Sequence, residues 1–409
     1  MHFALLGDHP DGLQTAHALA ASGRHTLIAL DADAAQAAGN SALRFSGFKV
    51  VADLEEVLAD PAVEAVIVAS RLDTRPTILR RALQAERHVL CVHPADTTPD
   101  IAYEAALIQG DTKRALVPLW IEGLHPALSR LTELSRSADA GIGTLQFVHL
   151  ERESAATVLE GAGTAGGKLA FPGWGVLRAL GGDIAELSAF AAEIQLTEDD
   201  PVLVSGRFEG GGLFQASFLP RQPRESFRVQ VTGNRGRGEL ELPIRWGKAA
   251  RLQWQEPGES HQETWAAWDP GPSIVSLFEE SVAAAEAKTP IAEALLSSWQ
   301  DEVRGLELDD TARRSIERRR AGTLEYQQAS EEVGFKGTMT LVGCALVWII
   351  ILLVILSRWL PALGWLIVPL IVLFLLLQMF RWIVPKPAER NESERTPPVN
   401  PSRNQRFIQ

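Results

Sequence analysis

One histidine stands out as a group that could do chemistry. The stretch His88-Val89-Leu90-Cys91-Val92-His93-Pro94 reads as a buried strand halted by proline. A histidine titrates near neutral pH, so His93 could pass a proton to or from a substrate hydroxyl. A second candidate is the turn Gly7-Asp8-His9-Pro10-Asp11-Gly12, which follows the first apolar run. A dinucleotide-binding turn takes Gly-x-Gly-x-x-Gly: one glycine for the tight turn, one to admit the pyrophosphate, one for close helix packing. Gly7 and Gly12 fill the outer positions and His9 the middle one, while Asp8 and Asp11 add negative charge beside an anion site. Two readings stay open, weak nucleotide binding or a nucleotide fold that has lost it. Asp31 closes the second apolar run, where an acidic side chain binds a ribose 2′-hydroxyl. Asp33 follows with no arginine adjacent, so the expected cofactor is NAD in preference to NADP.

These residues need a scaffold that gathers them. Apolar runs at Phe3–Leu6, His25–Leu30, Phe48–Val51, Ala65–Ala69, Val89–Val92 and Ala115–Leu119 alternate with helical patterns. That alternation predicts an α/β class, a Rossmann-type parallel sheet over residues 1–120. Ligands of such sheets bind past the carboxyl ends of the strands. Gly7, His9, Gly12, Asp31, Ala69, Ser70, His93 and Pro94 all fall at that edge and form the expected cofactor-binding set. Residues 121–310 predict an α+β domain with an open, mostly antiparallel sheet, from strands such as Thr144–Leu150, Val202–Phe208, Leu213–Phe218, Phe227–Val231 and Gly238–Leu242. Trp246, Trp254, Trp265 and Trp268 crowd its later part and read as sheet packing or a subunit contact, with a sugar pocket as the other option. Gly161-Ala162-Gly163-Thr164-Ala165-Gly166-Gly167-Lys168 imitates a nucleotide motif, but Phe171-Pro172-Gly173 would break the helix it needs, so a loop over the site is expected.

The net charge of −12 argues against nucleic acid as a partner. Two cysteines, Cys91 and Cys344, imply no disulfide framework. The nine histidines lack metal-ligand spacing, and no Gly-x-Ser-x-Gly elbow supports a serine nucleophile. Beyond residue 310 the composition changes. Residues 311–337 predict a charged helix, capped by Asp309-Asp310 and carrying Arg313, Arg314, Arg318, Arg319 and Arg320. Thr338–Leu356 and Leu360–Phe380 are apolar runs of 19 and 21 residues, each long enough to span a bilayer as a helix. Residues 338–383 therefore predict a transmembrane hairpin with the lipid bilayer as partner. Flanking Lys336, Arg381 and Lys386 place both ends, and the two sheets, on the cytoplasmic face. Residues 384–409 read as a disordered tail.

The segment Leu54-Glu55-Glu56-Val57-Leu58-Ala59-Asp60-Pro61-Ala62-Val63-Glu64-Ala65-Val66-Ile67-Val68-Ala69 resembles the Gfo/Idh/MocA oxidoreductases. So do Ala82-Leu83-Gln84-Ala85-Glu86-Arg87-His88-Val89-Leu90-Cys91, and, at the start of a second domain, Pro126-Ala127-Leu128 and Gly141-Ile142-Gly143. The resemblance covers about residues 1–310. It implies an NAD(P)-dependent oxidoreductase acting on a sugar- or polyol-like small molecule, with a second sheet that backs the substrate and pairs subunits into a homo-oligomer. Three departures accompany it. Val92-His93-Pro94 replaces the family's Glu-Lys-Pro, which puts His93 in the lysine's place as a catalytic candidate with Lys168 as its makeshift partner. The family's Asp-x-x-x-His, due before the helix at Val176–Leu180, falls on Lys168 and Pro172. Glu122-Gly123-Leu124-His125 replaces a turn that would hold arginine. The departures keep a second outcome open, a catalytically inactive scaffold or ligand-sensing protein at the membrane.

Overall fold

The computed structural model describes residues 1–41, 43–112, 114–136, 141–153, 171, 173–193, 200–220, 222, 225–243, 248–287 and 298–319, and the backbone of 322–323. The chain divides into two units, residues 1–327 and 328–409. Every described residue belongs to the first. Lys168, the Gly161–Lys168 loop, both apolar runs and the tail lie outside the described residues. Among the described residues, no helix is long and apolar enough to cross a membrane.

Six strands form the first sheet: β1 (His2–Leu6), β2 (Thr26–Asp31), β3 (Lys49–Val51), β4 (Ala65–Val68), β5 (His88–Val92) and β6 (Leu116–Leu119). All pair in parallel, in the order β3-β2-β1-β4-β5-β6. The strand order reverses between β1 and β4, which opens a crevice at their carboxyl ends. Helices α1 (Pro10–Ala21), α2 (Ala32–Asn40), α3 (Leu54–Ala59), α4 (Arg75–Gln84) and α5 (Asp100–Asp111) alternate with these strands. Strands β4 and β5 are buried on both faces, hence their unbroken apolar runs.

A 3₁₀ turn (Ile121–Leu124) and α6 (Pro126–Arg136) lead into β7 (Leu145–Glu153), α7 (Trp174–Gly181), β8 (Ile184–Ala191), β9 (Val202–Phe208), β10 (Leu213–Leu219), β11 (Ser226–Gly233), β12 (Arg237–Leu242), β13 (Ala250–Glu256) and β14 (Glu259–Trp265). Helices α8 (Gly271–Ala287) and α9 (Trp299–Arg318) and a short strand β15 (Gly322–Thr323) follow. The second sheet runs β14-β13-β12-β11-β7-β10-β9-β8-β15. It is antiparallel except where β10 lies parallel to β7. One face packs on α6 and α7, and the alternating burial of β11 and β12 follows from that single covered face. Strands β8, β13 and β14 add to those legible in the sequence.

The two last helices return to the first sheet. Val275, Phe278 and Val282 of α8 join the core beside α1. Trp299, Val303 and Leu306 of α9 join the core beside α4 and α5 on the opposite face. Farther along α9, Leu308, Ala312 and Ile316 enter the core of the second sheet. This one helix thus ties the two sheets together. Its cap is Ser298, whose hydroxyl and backbone N–H form a capping box with Asp301. Asp309-Asp310 therefore caps nothing: both residues lie mid-helix, and the boundary expected at 310 falls inside α9.

Candidate active site

The crevice between β1 and β4 is built by glycine. Gly7 has φ +105°, and a Cβ there would lie 2.1 Å from the Ser70 backbone nitrogen. A Cβ on Gly12 would lie 2.2 Å from the Ala69 Cβ. Only hydrogen side chains let α1 sit this close to the end of β4. The His9 backbone N–H donates to Ala69 O at 3.0 Å, which holds the turn against that strand.

The middle position is closed. His9 is the N-cap of α1, and its Nδ1 accepts from the Asp11 N–H at 3.2 Å. Pro10 has no N–H to offer. The N-terminal donors that would meet an anion are thus reduced, and an imidazole stands in front of them. Burial, with Arg75 and His93 nearby, pushes the His9 ring down to about 4, so it is neutral at pH 7. Burial, with Glu122 adding repulsion, pushes the Asp11 carboxyl up to about 7. Asp31 caps α2 by accepting from Ala34 N–H at 2.7 Å. Burial moves its carboxyl upward, against the stabilising N–H groups of Ala34 and Gly7.

His93 and Pro94 follow β5 directly, joined by a cis peptide. Arg75, 1% exposed, brackets them. Its Nε and Nη2 donate to Ser70 O at 2.9 and 2.7 Å, and its Nη1 to Val92 O at 3.3 Å and Pro94 O at 2.5 Å. One guanidinium therefore pins the ends of β4 and β5 together. His93 Nδ1 meets Glu302 Oε2 at 2.6 Å, and Glu302 Oε1 accepts from Ala95 N–H at 2.6 Å. Burial alone would lower the His93 pKa, but Glu302, with Asp309 and Glu122 behind it, outweighs burial and moves it upward. Burial alone would raise that of Glu302, but His93, the Ala95 N–H and Arg75 move it downward. The pair shares one short hydrogen bond of fixed geometry, charge-assisted when the ring is protonated.

A pocket opens beside this pair, lined by His93, Pro118, Trp120, Trp174, Gly175, Asp301, Glu302 and Gly305. Trp120 packs tightly against two glycines: a Cβ on Gly123 would approach its ring to 2.4 Å, and one on Gly175 to 2.2 Å. No larger side chain fits at 175, at the start of α7, while Trp120 keeps its place. Asp309 Oδ1 accepts from Phe171 N–H at 2.8 Å and Trp174 Nε1–H at 2.6 Å. Burial pushes the Asp309 carboxyl up to about 7. On the far side, Arg152 of β7 faces Glu122 at 3.6 Å and lies over the Phe227 ring.

The structure brings Gly7, His9, Gly12, Ala69 and Ser70 to one crevice, puts Asp31 at the end of β2, and sets His93 and Pro94 at the end of β5. Lys168 lies outside the described residues. Of the four tryptophans, Trp254 stacks on His261 beneath Arg130 and Trp265 packs against the core of the second sheet, which is sheet packing, while Trp268, between β14 and α8, meets His125 edge-on. Trp246 lies outside the described residues. Sequence reasoning missed Arg75, Trp120, Glu302 and Asp309. Glu302 did carry a signal: Trp299, Glu302, Val303 and Leu306 fall at helical spacing, so an acid sits in a buried stripe. Among the described residues, no cluster of histidine, cysteine or carboxylates could hold a metal ion.

The site can be set beside known proteins. Residues 9–116 match the model of the Gfo/Idh/MocA oxidoreductase family, described as an NAD-binding Rossmann fold. No curated protein sequence matches the chain. Levoglucosan dehydrogenase, solved with NADH and levoglucosan, is 15% identical and superposes with a TM-score of 0.65 over 80% of this chain and 100% of its own. GenD2 of gentamicin A biosynthesis, solved with NAD, is 22% identical with a TM-score of 0.64, covering 80% of this chain and 97% of its own. An oxidoreductase of Agrobacterium radiobacter, solved with NAD⁺, L-tartaric acid and magnesium, is 13% identical with a TM-score of 0.64, covering 79% and 98%. About four fifths of the chain thus shares the fold of these solved structures, and residues 9–116 match the family's NAD-binding model.

Proposed function

We propose that this protein is an NAD-dependent oxidoreductase of the Gfo/Idh/MocA kind. It acts on a sugar- or polyol-like small molecule, and its apolar carboxy-terminal runs hold it at the cytoplasmic face of a membrane. The observation that carries the reading is the convergence at one sheet edge of the Gly7–Gly12 turn, Asp31 and the His93–Glu302 pair. The ligands named for the three solved relatives support the same reading.

The residues present fit NAD unequally. In this reading Asp31 takes the ribose hydroxyls, and Gly7 and Gly12 give the backbone its close approach. The diphosphate position fits only when the His9 ring leaves the helix end. When bound, the dinucleotide supplies hydride transfer. The chain's own part is to hold the substrate in the Trp120–Trp174 pocket and to manage the proton of its hydroxyl at His93. The open face of the second sheet exposes Phe190, Leu203 and Leu213, and subunits pair there in this reading.

One observation favours a second reading, a membrane-tethered scaffold or sensor without catalysis: His9 closes the helix end that a dinucleotide needs. Turnover of a panel of sugars and polyols by the full chain with NAD, in wild type and His93→Ala, separates the two. Turnover lost in His93→Ala supports the enzyme. No NAD-dependent turnover on any member supports the scaffold.

A further inference from the structure

The His93–Glu302 pair implies a more specific role, one that rests on the oxidoreductase reading. We propose that Glu302 is a positioning residue that holds His93 as an imidazolium, its Nε2–H offered to the pocket, so that the site engages its substrate by donating to an oxygen acceptor.

The geometry carries this in three steps. First, the ring cannot turn freely. Glu302 is 4% exposed, and both its oxygens are committed, one to His93 Nδ1 and one to the Ala95 N–H, each at 2.6 Å. Arg75 holds the carbonyls of Val92 and Pro94 on either side of His93. Second, Nδ1 is taken, and among the described residues nothing hydrogen-bonds Nε2. Nε2 is therefore the nitrogen left for the pocket that His93 lines with Trp120 and Trp174. Gly305, one turn along α9 from Glu302, packs beside the ring: a Cβ there would lie in ordinary contact with His93 Cε1, at 3.8 Å. Third, the surrounding charge favours the cation. Glu302 comes from α9 and Glu122 from the 3₁₀ turn; Asp309 of α9 and Asp11 of α1, both pushed up to about 7, add only part of a charge at neutral pH. Arg75 of α4 stands against them, and the His9 ring is neutral. A neutral His93 would give its one N–H to Glu302 and turn a lone pair to the pocket. An imidazolium donates at both nitrogens.

Glu302 does not touch the pocket's reacting oxygen in this scheme. It acts through His93, as the carboxylate of a histidine–carboxylate pair does elsewhere. The carboxylate sits in the first turn of α9, where the helix end favours negative charge.

The test uses the full chain labelled with ¹⁵N-histidine. Long-range proton–nitrogen spectra are followed across the pH range in wild type, E302Q and E302D, with H93N to assign the signals. Both His93 nitrogens should show imidazolium shifts at pH 7 in wild type. In E302Q the midpoint should fall by about one pH unit or more, and E302D should restore most of it. The pH profile of turnover should move with the midpoint. A neutral His93 at pH 7, or a midpoint that E302Q leaves in place, overturns the proposal even if turnover persists. An imidazolium that shifts in E302Q, in a chain that neither oxidises hydroxyl substrates with NAD nor reduces the matching carbonyl compounds with NADH, overturns the oxidoreductase reading and leaves the held cation standing.

Discussion

His9→Gly returns a glycine to the middle of the first turn and asks directly what closes it. In wild type the His9 ring caps α1 through the Asp11 N–H at 3.2 Å. A diphosphate arriving at the helix end must displace that cap, which is worth about 1 kcal/mol. Removing the ring frees the N–H beforehand and clears the space in front of it. One kcal/mol is about a fivefold change in affinity, and relief of the steric obstacle adds to it. The predicted effect is NADH binding tightened about fivefold to tenfold. Glycine is tolerated at an N-cap, so the fold should lose no more than that same amount, about 1 kcal/mol. Calorimetric titration of wild-type and variant full chains with NADH gives both dissociation constants. Unchanged or weakened binding in His9→Gly refutes the argument that the imidazole occupies the diphosphate position.

Two further expectations concern the frame of the site. Arg75→Met removes a buried cation and strands the carbonyls of Ser70, Val92 and Pro94, so denaturant unfolding should show a loss of roughly 3 kcal/mol. Asp309 is pushed up to about 7 in the folded chain, against an unfolded value of 3.8. The folded state therefore holds the extra proton between these values, and stability falls as pH rises from about 4 to about 7. Asp309→Asn keeps an acceptor for Phe171 and Trp174 and removes the titration. It should match wild type near pH 4 and exceed it by roughly 2–4 kcal/mol at pH 8, measured by thermal or denaturant unfolding.

Much of the first sheet was legible because β4 and β5 are buried on both faces, leaving apolar runs with little to confuse them. The glycine turn was legible for a related reason: Gly7 and Gly12 answer to local contacts with Ala69 and Ser70. Strands β13 and β14 were harder. Strand β14 is the sheet's edge and exposes most of its residues, and in β13 beside it Arg251, Gln253 and Gln255 alternate outward with Leu252 and Trp254, so no apolar run marks them. The site was legible only by half. His93 could be placed from the end of its strand, but its partner arrives from α9, 209 positions away in sequence. Arg75 reads as an ordinary surface cation on an amphipathic helix until the ends of β4 and β5 close around it. Trp120 needed the third dimension too, since its place depends on the missing Cβ atoms of Gly123 and Gly175.

The central claim is that the carboxyl edge of the first sheet still accepts a nicotinamide dinucleotide despite the His9 cap. Calorimetric titration of the wild-type full chain with NADH, carried to millimolar concentration, tests it most directly. The account predicts saturable binding of one NADH per chain, weaker than in His9→Gly. No binding heat in either chain at millimolar NADH would contradict it.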